Sequence, residues 1–81
     1  MAKPSPTARR NPALKAFGKA VRELRIQYGY SQEELAGMAG LDRSYMGGIE
    51  RGEHNIALIN IQKIADALDL SVSDLLKTAG I

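Results

Sequence analysis

The sequence contains no cysteine, and its only histidine is His54. Without cysteine, neither a disulfide framework nor a thiolate metal site can form, and nothing indicates secretion. A single histidine excludes a histidine-based catalytic triad and argues against a zinc cluster. No glycine-rich loop follows a strand signal, so a phosphate-binding loop is also missing. We therefore expect no enzymatic activity, no cofactor and no metal.

Long apolar runs are absent as well. No segment approaches the ~20 apolar residues that a membrane span requires, and the first residues lack the apolar region of a signal peptide. The 81 residues suffice for one domain, near the size at which a single hydrophobic core is only just adequate. We expect a soluble, cytoplasmic domain with no membrane partner and no small-molecule ligand.

The formal net charge of +2 hides a strong asymmetry along the chain. Residues 1–25 carry seven basic residues and one acid, a net charge of +6, whereas residues 26–81 carry four basic residues and eight acids, a net charge of −4. Such a division indicates one side that faces a polyanion and an acidic far side. The alternative is a solvated basic tail beside an ordinary domain.

Residues 1–12 are polar and contain Pro4, Pro6 and Pro12. This composition predicts a flexible basic N-terminal arm, followed by one folded domain over residues 13–81. Arg9 and Arg10 either contact DNA phosphates and the minor groove or belong to a tail that nothing orders.

The apolar pattern of the folded part predicts five helices and no strand, which makes the fold class all-α. A first helix from Ala13 to Gly29 is indicated by apolar residues at steps of three and four. Ser31, Asp42 and Ser71 fit the N-caps of the second, third and fifth helices. The fourth and fifth helices are predicted at about residues 58–68 and 72–78. The apolar residues of the first helix are Leu14, Phe17, Val21, Leu24 and Tyr28; the inward face of the fourth is Ile61, Ile64, Ala65 and Leu68.

Residues 32–50 have the spacing of two short helices that cross over a tight turn. Each helix offers an apolar stripe to the other, and Gly40 can adopt the left-handed conformation that ends the first of them. This arrangement is a helix-turn-helix, whose second helix can enter the major groove of DNA. The compatible positions are Leu35, Ala36, Ala39, Gly40, Leu41, Met46 and Ile49.

From Phe17 to Leu76, the chain resembles the Cro/repressor-type helix-turn-helix regulators of bacteria and phages. The run from Gly40 through Glu50 to Gly52, continued by Asn55 and by residues 61–68, resembles especially the controller proteins of restriction–modification systems. The resemblance implies a homodimer that binds a palindromic DNA operator and regulates transcription, with RNA polymerase as a further candidate partner. Phage-type repressors and antitoxins share most of the pattern, and a protein-interaction module on the same fold is the alternative of another class.

The resemblance also implies roles for single residues. Gln32 would bind a phosphate, since its amide and the helix N-terminus both suit an anion. Arg43 and Ser44 would read base edges; the alternatives are a phosphate clamp for Arg43 and a helix start without base contact for Ser44. Tyr45 would rest on a sugar or a thymine methyl, or pack over the edge of the domain. Just after the second helix of the helix-turn-helix, the recognition helix, the DNA backbone would be bound by Arg51, His54 and Asn55. The alternative is that these side chains are only exposed to solvent.

Arg25 and Glu50 match a family ion pair that ties the first helix to the recognition helix. Gly47 and Gly48 stand where many relatives carry a base-reading side chain, and we count them with the DNA-contacting positions. Each glycine costs ~1 kcal/mol of helix stability relative to alanine. Close approach to DNA or a close helix crossing would explain the pair. In either case fewer side chains are left to read bases, so recognition would depend more on the shape of the DNA.

The last expectation concerns dimerisation through the helices at about residues 58–78. Ile59 lies opposite the predicted core face, where a monomer has little use for isoleucine. Ile56 and Leu76 extend the apolar surface that one small core need not bury, although scattered exposed apolar residues also occur in monomers.

Overall fold

The computed structural model describes residues 11–81 as five helices, with no strand in that range. They are α1 (Pro12–Gln27), α2 (Gln32–Ala39), α3 (Arg43–Glu50), α4 (Leu58–Ala67) and α5 (Val72–Ala79). The all-α prediction is confirmed. The proposed arm falls mainly on residues 1–10, which lie outside the described residues.

The N-terminal caps agree with the serine and aspartate positions of the sequence. Ser31 forms a full capping box with Glu34, because its hydroxyl accepts from the Glu34 backbone N–H and its own N–H donates to the Glu34 carboxylate. Asp42 and Ser71 cap α3 and α5 through their side chains. Gly40 ends α2 with φ of 68°, so the chain can turn at once toward α3.

The boundaries of α1 differ slightly from the prediction. The helix begins one residue earlier, because the side chain of Asn11 accepts from the backbone N–H of Ala13 and Leu14, and Pro12 occupies the first helical position. It ends at Gln27, so Tyr28 is an exposed C-cap residue and not part of the buried stripe. Its ring instead contacts the edge of Tyr30, with ring centroids 6.0 Å apart.

The core lies where all five helices converge. Helix α1 packs on α3 and α5, α2 packs on α3 and α4, and α4 packs on α5. On α4, Ile61 is only half-buried, whereas the other three residues of its predicted inward face are fully buried. The largest fully buried side chains are Val21, Leu35, Met46, Ile64, Leu68 and Leu75.

Gly18 allows α1 to cross α3 at close range. A Cβ built at Gly18 would overlap the carbonyl oxygen of Ile49 and lie 2.6 Å from that of Glu50. These are backbone atoms, which cannot move aside as a flexible side chain would. Helix α3 is therefore fitted directly against the backbone of α1.

We expect Gly18→Ala to lower the free energy of unfolding by about 1–3 kcal/mol, because the added methyl group forces two helices apart. Gly37→Ala is the matched control, since Gly37 is also helical but no atom lies within 4 Å of a Cβ built there. That substitution should raise the free energy of unfolding by up to about 1 kcal/mol. Urea denaturation of both variants measures the difference, and equal stabilities would contradict the close crossing.

Candidate nucleic-acid interface

Helix α3 divides into an outward half and an inward half. Arg43 is exposed, Ser44 and Tyr45 are half-buried, and residues 46–50 are all buried. The division follows from the sequence, because the apolar residues Met46 and Ile49 belong to the core while the first turn carries polar groups. The first turn is therefore the part of α3 that a DNA groove can reach.

Arg43 and Ser44 have no side-chain hydrogen bond or ion pair within residues 11–81. None of the N–H donors of the Arg43 guanidinium is therefore engaged by these residues, and the group can donate to an external acceptor. A fork of two such donors matches the O6 and N7 atoms of guanine. The Asp42 cap holds this turn in place, since its carboxylate accepts from the backbone N–H of Tyr45 at 3.2 Å.

An ion pair between the buried Glu50 and the partly buried Arg25 fixes α3 to α1. Arg25 Nε donates to Glu50 Oε2 at 2.8 Å and Arg25 Nη2 donates to Glu50 Oε1 at 3.1 Å, so the pair is bidentate. The side chain of Glu50 is only 2% exposed. Arg25 also donates to the carbonyl oxygen of Tyr30, at 2.9 Å. Both charges are thus largely removed from water, and they are paired and hydrogen-bonded, as such charges must be.

Gln32 joins this pair from α2. Its Nε2 donates to Glu50 Oε1 at 3.0 Å, so one amide N–H is engaged within the protein. The second N–H has no hydrogen-bond partner among the described residues. Three helices therefore meet at the Glu50 carboxylate, and Gln32 combines a structural contact with a position at the start of α2.

The two glycines of α3 lie in the buried half, away from its exposed first turn. A Cβ at Gly47 would come within 3.2 Å of Nη1 of Arg51, the C-cap residue of α3, and within 3.6 Å of Gln32 Oε1 on α2. A Cβ at Gly48 would overlap the ring of His54. At both positions, side chains of the protein itself fill the space that sequence reasoning assigned to DNA or to a helix crossing.

In the segment after α3, the three residues expected to bind the DNA backbone differ in their exposure. Arg51 and Asn55 are exposed, and Arg51 Nε donates to Glu53 Oε2 at 3.0 Å. His54 is only 8% exposed, which differs from both sequence interpretations. The physical reason is the missing side chain at Gly48, which leaves room for the imidazole ring.

Tyr45 and His54 pack on each other, with ring centroids 5.1 Å apart. The Tyr45 hydroxyl also accepts from Asn60 Nδ2 at 3.2 Å, so Tyr45 lies against the start of α4. This geometry agrees with the packing alternative for Tyr45. Sequence reasoning did not identify Asn60, because no local pattern connects it with a residue 15 positions earlier.

Lys15 is a second position that sequence reasoning did not single out. A Cβ built at Gly52 would lie 2.9 Å from the Cα of Lys15, so the first turns of α1 rest on the turn that follows α3. Lys15 is exposed there. The available signal was the excess of basic residues in the first 25 positions.

An apolar surface marks the start of α4. Ile59 is 57% exposed and Leu58 is 69% exposed, while Ile56 and Leu76 are half-buried. Leu58 was expected only as the first residue of the helix. The N-cap, Ala57, forms no side-chain hydrogen bond with the helix.

Two other kinds of site are absent from residues 11–81. No three histidine, aspartate or glutamate side chains in this part of the chain are grouped so that they could hold a metal ion. None of the five helices combines the length and the apolar character needed to cross a membrane.

Comparison with known proteins places this geometry in a family. The helix-turn-helix family profile matches residues 21–75. The chain is 50% identical over 56 residues to a hypothetical transcription factor of Neisseria meningitidis; this covers 69% of the chain but only 53% of the relative, so the chain spans about half of that protein.

Two solved structures are similar over most of their length. The restriction–modification controller protein C.AhdI from Aeromonas hydrophila has a TM-score of 0.75 and 55% identity, covering 76% of this chain and 94% of that one. The biofilm regulator SinR, solved in complex with DNA, has a TM-score of 0.70 and 38% identity, covering 74% and 97%. The chain therefore belongs to the helix-turn-helix family of DNA-binding transcriptional regulators, in which restriction–modification controller proteins are among its relatives.

Proposed function

We propose that the protein is a sequence-specific transcription regulator that binds its operator as a homodimer and controls a restriction–modification operon, its own promoter included. The observation that carries this proposal is the division of α3. Its inward half is locked to α1 and α2 at Glu50, while Arg43 is exposed on its outward half and forms no side-chain hydrogen bond or ion pair with residues 11–81. Such rigid presentation of an unpaired arginine suits recognition of base edges.

The proposed contacts fall into two classes. Arg43 forks onto guanine and Ser44 serves a neighbouring base, and these contacts carry sequence information. Gln32, through its second amide N–H, Arg51 and Asn55 bind phosphates, which fixes the position of the protein on the duplex. Tyr45, held by His54 and Asn60, contributes its exposed edge to a sugar or a thymine methyl.

The proposed dimer forms through the apolar surface around Ile59, with Ile56 and Leu76 at its margin. Two recognition helices about 34 Å apart would then read half-sites one helical turn apart, which calls for a palindromic operator. The protein acts where the DNA is, in the bacterial cytoplasm. RNA polymerase is the further partner through which a bound dimer would alter transcription.

The similarity to C.AhdI supports the controller role. A phage-type repressor or an antitoxin would use the same fold and the same α3, and the neighbouring genes distinguish these from a controller. A protein-interaction module on this fold would not need Arg43 unpaired at the start of α3. Fluorescence anisotropy with the gene's own upstream DNA and with random DNA tests the proposal. Equal affinity for both would overturn it.

Arg43→Ala should weaken binding to the upstream operator by roughly 1–3 kcal/mol and leave binding to random DNA nearly unchanged, as expected for a base contact. Gln32→Ala is the comparison, because loss of a phosphate contact should weaken both DNAs by the same factor. Since Gln32 also donates to Glu50, a thermal melt should first establish that this variant is folded. An equal loss on both DNAs for Arg43→Ala would make Arg43 a phosphate clamp.

A further inference from the structure

The imidazole of His54 occupies the place where a side chain at position 48 would stand. A Cβ built at Gly48 would overlap Nε2 of His54 and lie 2.5 Å from Cδ2. The ring therefore rests on the backbone of the recognition helix itself. Asn55, the next residue, is exposed, so the loop turns His54 inward and its neighbour outward.

Tyr45 covers another side of the same ring. Its centroid lies 5.1 Å from that of His54, with the two planes inclined by 46°. Residues 45 and 48 are three positions apart on α3, so they share one helical face. Asn60 donates to the Tyr45 hydroxyl from the first turn of α4. His54 thus lies between two residues of α3 and joins a contact chain that reaches α4.

Packing contacts, and not hydrogen bonds, hold the ring in this place. Within residues 11–81, His54 forms no hydrogen bond, and no buried side-chain nitrogen or oxygen lacks a partner. The ring nitrogens of His54 are therefore within reach of water. With 8% of the residue exposed, little of its surface is left to meet a phosphate.

The recognition helix needs such support from outside. It has eight residues, and two adjacent ones are glycines, which leave the backbone more freedom than any other residue. The Asp42 cap secures its first turn, and Glu50 secures its last residue. His54 contacts the stretch between these two anchors.

We infer that His54 is a positioning residue for DNA reading: its ring holds Tyr45 and Gly48 so that α3 presents Arg43 and Ser44 at a fixed angle to the base edges. His54 acts through the recognition helix and does not grip the DNA backbone. The inference rests on the proposed function, because it concerns how the same helix discriminates between sequences.

A double-mutant cycle tests the contact. The variants are His54→Ala, Gly48→Ala and the combination of both, each titrated by fluorescence anisotropy on the upstream operator and on random DNA. Thermal melts first establish that each variant is folded at the assay temperature. Asn55→Ala is the matched control, an exposed residue in the same loop whose loss should weaken both DNAs by the same factor.

His54→Ala should lower the affinity for the operator about tenfold and change the affinity for random DNA little. Gly48→Ala should have the same effect, because the added methyl group displaces the ring. The combined variant should bind the operator at least as well as His54→Ala alone, since the methyl group enters the space that the ring has left. If His54→Ala alone proves unstable, the combined variant can be measured in its place, because its added methyl group fills part of the cavity left by the ring.

Four results would overturn the inference. A folded His54→Ala variant that loses affinity equally for both DNAs would make His54 a backbone contact. An unchanged Gly48→Ala variant, or losses that multiply in the combined variant, would show that the two positions are not coupled. A wild-type protein that does not prefer the operator overturns the proposed function, whereas a wild-type and a His54→Ala protein that discriminate equally well overturn only this inference.

Discussion

Glu50→Ala is expected to lower the free energy of unfolding by up to about 3–5 kcal/mol, the range for removing one partner from a buried ion pair. The substitution leaves the Arg25 guanidinium without its two carboxylate contacts and removes the acceptor of the Gln32 amide. Tyr30 is then the only described hydrogen-bond partner of Arg25. Because three helices meet at this carboxylate, its loss should also loosen α3 against α1 and α2.

Glu23→Ala provides the control for that experiment. Glu23 also pairs with a basic residue, Lys19, but both side chains are largely exposed and their closest charged atoms are 3.9 Å apart. Such a surface pair usually contributes less than about 0.5 kcal/mol. Urea denaturation of both variants gives the comparison directly. Equal midpoints would mean that the Arg25–Glu50 pair does not stabilise the fold.

Ile59→Asp should produce a folded monomer whose affinity for the operator falls by at least about a hundredfold, because a single recognition helix reads only one half-site. Ile59 is 57% exposed on α4, so the substitution removes nothing from the core of one protomer. The circular dichroism spectrum should accordingly remain close to that of the wild type. Sedimentation equilibrium measures the loss of the dimer.

Ile26→Asp is the matched control for the dimer. Ile26 is an isoleucine of nearly the same exposure, 54%, but it lies near the end of α1. This variant should remain dimeric and should bind the operator as the wild type does. A wild-type protein that stays monomeric at tens of micromolar would contradict the proposed dimer, as would loss of the dimer by both variants.

The helices are predictable from sequence because short-range signals determine them. Each of the caps Ser31, Asp42 and Ser71 accepts from a backbone N–H group three residues away, and Gly40 acts on its own backbone. The start of α4 at Leu58 is predicted by the apolar spacing alone, since Ala57 gives no capping signal. Tyr28 shows the limit of periodicity, because it continues the apolar spacing of α1 one residue beyond the point where that helix ends.

The site is less predictable because its contacts join distant parts of the chain. A lone histidine in the polar segment 51–55 is expected at the surface, and its burial depends on the absence of a side chain at Gly48 and on the ring of Tyr45. The contact between Gly18 and the backbone of α3 likewise joins residues about 30 positions apart. A glycine inside an amphipathic helix signals some close approach but does not identify the neighbour.

The division of α3 into an outward and an inward half also determines which parts of this helix can be exchanged with those of a relative to change the operator preference. A change confined to Arg43 and Ser44 should give a new operator preference without a loss of stability, because neither side chain contacts the rest of the protein through a described hydrogen bond or ion pair. An entire foreign α3 should be accepted only with its companions. A foreign helix with a side chain in place of Gly48 would collide with His54. A foreign helix without Glu50 would leave the Arg25 guanidinium without its carboxylate partner.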